Sequence, residues 1–293
     1  GHGTHTLGSA VGNHVGVAPD ATWIGCTNLA RNLGNAARYL DCWQFMLAPF
    51  PLGGDPFTAG DPTRSAHVTN NSWGCPEDAE GCDPESLHPA VKAMRAAGIF
   101  MVVSAGNSGP TCHTVDAVAA IYDEVFSVGA VDQENDLAAF SSTGPVLVDG
   151  SFRTKPDIVA PGVDVLSAYP GDSYELASGT SMAGPHVAGV VALIWSANPA
   201  LIGDIDRTEH ILIETAQPFT GGLDSGLSAQ EEEQLTALDG EENLLLTLLT
   251  GDQQNSCWAT SDLETRPNNI AGYGTVDAYA AVQRALEMTI TQP

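Results

Sequence analysis

Three short stretches of this 293-residue chain carry side chains suited to acyl-transfer chemistry. The first, "HGTH", follows the opening glycine and sets His2 and His5 among small neighbours. Histidine is the side chain best able to accept and return a proton near neutral pH. Small neighbours let it stand at a helix start facing a cleft, yet the pair alone equally fits a surface cluster or part of a metal site. The second, "SGTSMAGPH" at 178–186, places Ser181 between Gly179-Thr180 and an apolar helix that begins with small residues. A hydroxyl at a helix N-terminus meets backbone N–H groups and the positive end of the dipole, which favour developing negative charge. A plain N-cap serine would explain the position, but not Gly179, Thr180, Ala183 and Pro185 around it. The third, "SAGNSGP" at 104–110, ends an apolar strand and exposes one amide, Asn107, beside flexible backbone. That amide could donate to an oxyanion, although taken alone it reads more simply as a turn asparagine.

Alternating elements surround these stretches. "ATWIGCTNL" reads as a strand and "NAARYLDCWQFML" as a helix; a Pro/Gly-rich loop and a short strand, "AHVTNNSW", follow. A Cys-bounded acidic loop, "CPEDAEGC", leads into the helix "PESLHPAVKAMRAAG", for which Gly98 is a fitting stop. "IFMVVSAG", "VFSVGAV" and "DIVAPGVDVLSA" read as strands, and "SMAGPHVAGVVALIWSA" as a strong helix. Such alternation predicts an α/β domain with a mostly parallel sheet. Residues 219–256 hold eight acids and no base, and "EENLLLTLLT" among them could form a helix. They read as an acidic insertion in a single catalytic domain over 1–293, because "AGYGTVDAYAAVQRAL" then resumes a strand-turn-helix pattern.

The net charge is −26, from 36 acids against 10 bases, while charged residues make up only 16% of the chain. The acidity therefore comes from missing bases; Lys92 and Lys155 are the only lysines. Such a field repels phosphate backbones and anionic lipid, which disfavours nucleic-acid and membrane-surface roles. The longest apolar run, "VAGVVALIWSA", is too short to span a bilayer. The six cysteines are Cys26, Cys42, Cys75, Cys82, Cys112 and Cys257. An even number without zinc spacing favours disulfides and an oxidising, extracellular compartment over buried thiols.

In chain order, "HGTH", "NNSWG", "SAGNSGP" and "GTSMAGPHVAG" resemble the subtilisin-like serine proteases, the subtilases. "WIGCTNLARN", "LDCWQFMLAP", "NNSWGCP", "AIYDEVFSVGA" and "FSSTGPV" are similar to the bacillopeptidase F branch of that family. The resemblance covers nearly the whole chain. It implies a three-layer αβα subtilisin-like fold around a mostly parallel sheet. It also implies a secreted serine endopeptidase with His2 as general base, Ser181 as nucleophile, and Asn107 with the Ser181 N–H as oxyanion donors. His5 would only support. Ser72, Trp73 and Gly74 would form one wall of the substrate cleft, and Ser104, Ala105 and Gly106 the other. Substrates would be proteins or peptides. The precursor would carry a pro-segment, and the enzyme is expected to be a monomer. The pairings implied are Cys75 with Cys82, Cys26 with Cys42, and Cys112 with Cys257. The chemistry needs no cofactor. Structural calcium occurs in many subtilases, and no residue here can be named for it.

Subtilases run Asp, His, Ser along the chain, yet only Gly1 precedes His2. The expectation is a chain lacking its N-terminal strand or strands and the triad aspartate, hence inactive or weakly active as written, with exposed sheet edges. Asp224, in "DSG", is the one local substitute, and no apolar strand leads into it. Asp20 reads as structural. A subtilase-fold module that binds peptides without catalysis is the alternative, disfavoured by the intact His2, Asn107 and Ser181.

Overall fold

The computed structural model describes residues 1–31, 33–223, 263 and 265–290. β1 (Val68–Asn71), β2 (Phe100–Ser104), β3 (Phe126–Val131) and β4 (Ile158–Pro161) form a parallel sheet in the order β1-β2-β3-β4. The register pairs Val68 with Phe100, Val102 with Phe126, and Val128 with Ile158. Both faces of the sheet are covered, as a parallel sheet requires. Along β2, Phe100 and Val102 enter one core while Met101 and Val103 enter the other, the two-residue alternation of a strand.

On the first face lie α5 (Thr180–Ala197), α6 (Ile205–Thr215) and α7 (Ala278–Ile290). On the other lie α2 (Ala36–Leu47) and α4 (His88–Ala96). The architecture is therefore three-layered α/β. Asn35 caps α2 by accepting from Arg38 N–H, and Asp204 caps α6 by accepting from Arg207 N–H. α5 is apolar nearly all round because it lies across all four strands. Each Val, Ile or Met it buries is worth about 1.5–3 kcal/mol relative to exposure. No described helix is long and apolar enough to cross a membrane.

Three elements differ from the sequence reading. Residues 21–29 form no strand: they run irregular and mostly exposed, with Trp23 60% exposed. A run of strand-like composition becomes a strand only where a ladder partner lies alongside. Among the described residues β1 pairs with β2 alone, and Cys26 ties the run to Cys42 of α2 instead. Residues 157–168 are not one strand either. The chain turns at Gly162, so β4 stays in the sheet while β5 (Val165–Tyr169) forms an antiparallel hairpin with β6 (Ser173–Ala177). α4 starts only at His88, where Pro89 fits the first turn and lacks the N–H that a helix interior would use.

The remaining helix, α1 (His2–Val11), packs on α5 and β5. Cys75 pairs with Cys82 across a loop that holds a short helix, α3 (Glu77–Glu80). Cys112 is disulfide-bonded too; Cys257, its expected partner, lies outside the described residues. So do Asp224, "EENLLLTLLT" and nearly all of the acidic insertion.

Candidate active site

The carboxyl ends of β1 and β2 meet the N-terminus of α5, which is where parallel α/β sheets place ligands. Ser72, Trp73 and Gly74 follow β1 directly, while Gly106 and Asn107 follow β2 after Ala105. Ser181 stands in the first turn of α5, partly buried, and its Oγ lies 3.5 Å from the Ser72 carbonyl oxygen. Its N–H belongs to the first helical turn, where helix geometry provides no acceptor.

Pro185 has a consequence that the sequence reading missed. In α5 its nitrogen stands where an N–H would donate to the Ser181 carbonyl, and proline has none. The Ser72 hydroxyl donates to that carbonyl instead, at 2.9 Å, while accepting from Asn70 Nδ2 at 2.8 Å. A break in the helix ladder thus becomes the link between the serine turn and the cleft wall.

Asn107 is fixed by Thr180. The Thr180 N–H donates to Asn107 Oδ1 at 2.9 Å, and Thr180 Oγ1 lies at 2.9 Å from the same atom. A backbone N–H requires an acceptor, so the amide orientation follows, and Nδ2 is left beside Gly179 at the head of α5 as a donor with no partner among the described residues. Thr180 is fully buried, whereas Asn107 is exposed. Gly106, at φ 114, turns the chain just before Asn107; its N–H donates to Thr180 Oγ1 at 3.2 Å, and a Cβ there would meet Ser142 Oγ at 2.7 Å. Ser104 and Ala105 are buried, and the Ala105 N–H donates to Val128 O at 2.9 Å, so this wall presents Gly106 and Asn107 outward.

The histidines arrive on α1. His5 is buried against the hairpin, its Nε2 3.0 Å from Val165 O and 3.1 Å from Glu175 O, while Ser167 Oγ donates to its carbonyl at 2.8 Å. His5 acts electrostatically on His186, and Ala10 approaches Gly189. α1 and α5 therefore advance in the same sense, with His2 and Ser181 in their first turns at one end. His2 itself is exposed, and its ring makes no hydrogen bond among the described residues. Desolvation by the structure behind it, then the nearby His5 and amino terminus, hold its pKa below the usual imidazole value.

Just after β1, Trp73 stacks on Tyr39 of α2 with ring centroids 3.7 Å apart and planes 2° from parallel. Among the described residues, no group of three or more His, Cys, Asp or Glu is arranged to hold a metal ion.

The Peptidase S8 family model, described as "Subtilase family", matches residues 1–274. The chain is 42% identical over 229 residues to Bacillopeptidase F of Bacillus subtilis (strain 168), covering 75% of this chain and 15% of that protein. To M-protease of Shouchella clausii (strain KSM-K16) it is 36% identical over 206 residues, covering 68% of this chain and 46% of the relative. The chain thus spans less than half the length of both. Among solved structures, one titled as proteases from Pseudoalteromonas arctica PAMC 21717 superposes with a TM-score of 0.66 at 24% identity, covering 97% of this chain and 70% of that one.

Proposed function

The chain belongs to the subtilase family, and from that premise we propose that it carries the nucleophile, general base and oxyanion donors of a secreted serine endopeptidase. Ser181 Oγ attacks the scissile carbonyl and gives its proton to His2, which returns it to the leaving amine; water then hydrolyses the acyl-enzyme by the same steps in reverse. Asn107 Nδ2 and the Ser181 N–H stabilise the tetrahedral oxyanion. The peptide lies as an added strand along Ser72–Gly74, with Gly106 opposite. The observation that carries this reading is the pinning of Asn107 Oδ1 by Thr180, which leaves an amide donor free at the head of the serine helix.

The lowered pKa of His2 supports its role, because a general base must be unprotonated at working pH. No described carboxylate bonds its ring, and a triad histidine without an orienting carboxylate loses about 10⁴-fold in kcat. On that ground the orienting carboxylate comes from outside the described residues, and protein without it is inactive or weakly active. The active protein is a monomer made with a pro-segment and released from the cell. The disulfides Cys26–Cys42 and Cys75–Cys82 support an oxidising destination.

Labelling with a fluorophosphonate and assaying peptide hydrolysis test this directly. The natural full-length protein should label at Ser181 and turn over, and Ser181→Ala should abolish both, a loss of about 10⁶ in kcat. Full-length protein that binds peptides without cleaving them would establish the non-catalytic module instead. Rapid turnover by the 293-residue chain would remove the need for a further carboxylate.

A further inference from the structure

The wall Ser72–Trp73–Gly74 is held from the cleft side by Ser72 and from behind by a separate network. Tyr39, on α2, is fully buried. Its ring lies flat on Trp73, and Trp43, one turn on, is tilted against the same indole at 5.5 Å. The Tyr39 hydroxyl reaches two acceptors: Gly74 O at 3.3 Å and the carboxylate of Glu80 in a short hydrogen bond. The other oxygen of Glu80 accepts from Gly34 N–H at 2.8 Å. Gly34 admits no side chain, since a Cβ there would collide with the Tyr39 hydroxyl. Trp43 Nε1 donates to Asn71 Oδ1 at 2.9 Å, and Asn71 Nδ2 donates to Val102 O at 3.1 Å, which locks the preceding residue to β2.

Glu80 ends α3 inside the loop closed by Cys75 and Cys82, whose Cα atoms are 5.6 Å apart. The acidic loop therefore returns its carboxylate to the residues on which it is anchored. Burial, then the bond to Glu80 and its charge, push the Tyr39 hydroxyl above the ordinary phenol pKa, so it remains a donor throughout the working range.

We infer that Tyr39 and Glu80 are positioning residues for the substrate wall. They act through Gly74 O and the Trp73 ring to hold this backbone extended for pairing with an incoming polypeptide. The inference rests on the peptidase reading above for the role of that wall. Neither residue reaches Ser181, so their loss should weaken binding of extended substrates and spare the acyl-transfer centre. Tyr39→Phe keeps the stacked ring and removes only the hydroxyl; Glu80→Gln keeps an acceptor and removes the charge.

In the full-length protein, both variants should raise KM for an extended peptide about five- to tenfold, the scale of the net contribution of one hydrogen bond. kcat, and hydrolysis of a small ester that reaches only Ser181, should stay within about twofold, as expected when binding common to ground and transition states is removed. In a Ser181→Ala background, the Kd for the same uncleaved peptide should rise by the same factor, and this reading needs no turnover. Unchanged KM and Kd, or an equal fall in kcat on both substrates, would overturn the inference. If Tyr39→Phe lowers the melting temperature too far to assay, Glu80→Gln decides by the same measurements. Loss of Ser181-dependent hydrolysis in the parent counts against the peptidase reading alone, because the Kd comparison still judges the wall.

Discussion

The two halves of the proposed active site are built differently. At the head of α5, Ser181, Thr180, Ser72 and Asn107 are joined by side-chain hydrogen bonds that set the direction of each donor. At the head of α1, His2 is placed only by the docking of its helix: His5 is gripped by the hairpin, while the His2 ring has no described partner. The half proposed to bind the oxyanion is preorganised, and the half proposed to transfer the proton is positioned without being oriented. Preorganised donors act with no reorganisation at the moment of reaction. An unoriented imidazole must still find its tautomer and direction, which is the service a buried carboxylate performs.

The difference can be broken first at Asn107. In the full-length protein, Asn107→Ala should lower kcat by about 10²–10³ with little change in KM, the cost known for removing such an amide from a subtilisin. A comparable rise in KM would mean that the amide binds substrate rather than the oxyanion. Thr180→Val sharpens the point, since it removes one hydroxyl and leaves Asn107 in place. With the Thr180 N–H still holding Oδ1, kcat should fall by only about tenfold, the scale of one hydrogen bond. A loss equal to that of Asn107→Ala would show that the hydroxyl alone sets the amide.

The smallest effect concerns the α1–α5 contact. His186 is mostly desolvated, which lowers its pKa most; its bond to Met182 O opposes this, and His5 adds to the lowering. His2 is shifted the same way. Between these lowered values and the ordinary 6.5, the unfolded chain binds more protons than the folded one. Stability is therefore full above about pH 6.5 and falls as pH drops through that window. Melting temperature measured from about pH 7.5 to 5 should decline, and His186→Gln should flatten the slope. An unchanged slope would show that His186 does not couple protonation to folding.

Much of the fold was legible because the signals were local and strong. The largely apolar runs of β2 and β3 and the small-residue start of α5 each specify their element within a few residues. The strand expected at 21–29 did not form because strands are completed by neighbours, and no described segment pairs with it. In the sequence, Glu80 is one of several acids in the Cys-bounded loop "CPEDAEGC". Its contact with Tyr39 bridges 41 residues of sequence, so no local pattern could announce it.

The residue types and their order determined the chemistry to expect: a histidine, an amide after an apolar strand, and a serine at a helix start, together with the cysteines that could pair. Tertiary structure decided which atoms face which. Thr180 turned Asn107 so that Nδ2 is free, Ser72 took up the carbonyl that Pro185 leaves open, and Tyr39 met Glu80 behind the cleft wall. Composition and spacing fix what a side chain is able to do. The direction of a hydrogen bond depends on partners distant in sequence, which only the packed sheet and helices bring within reach.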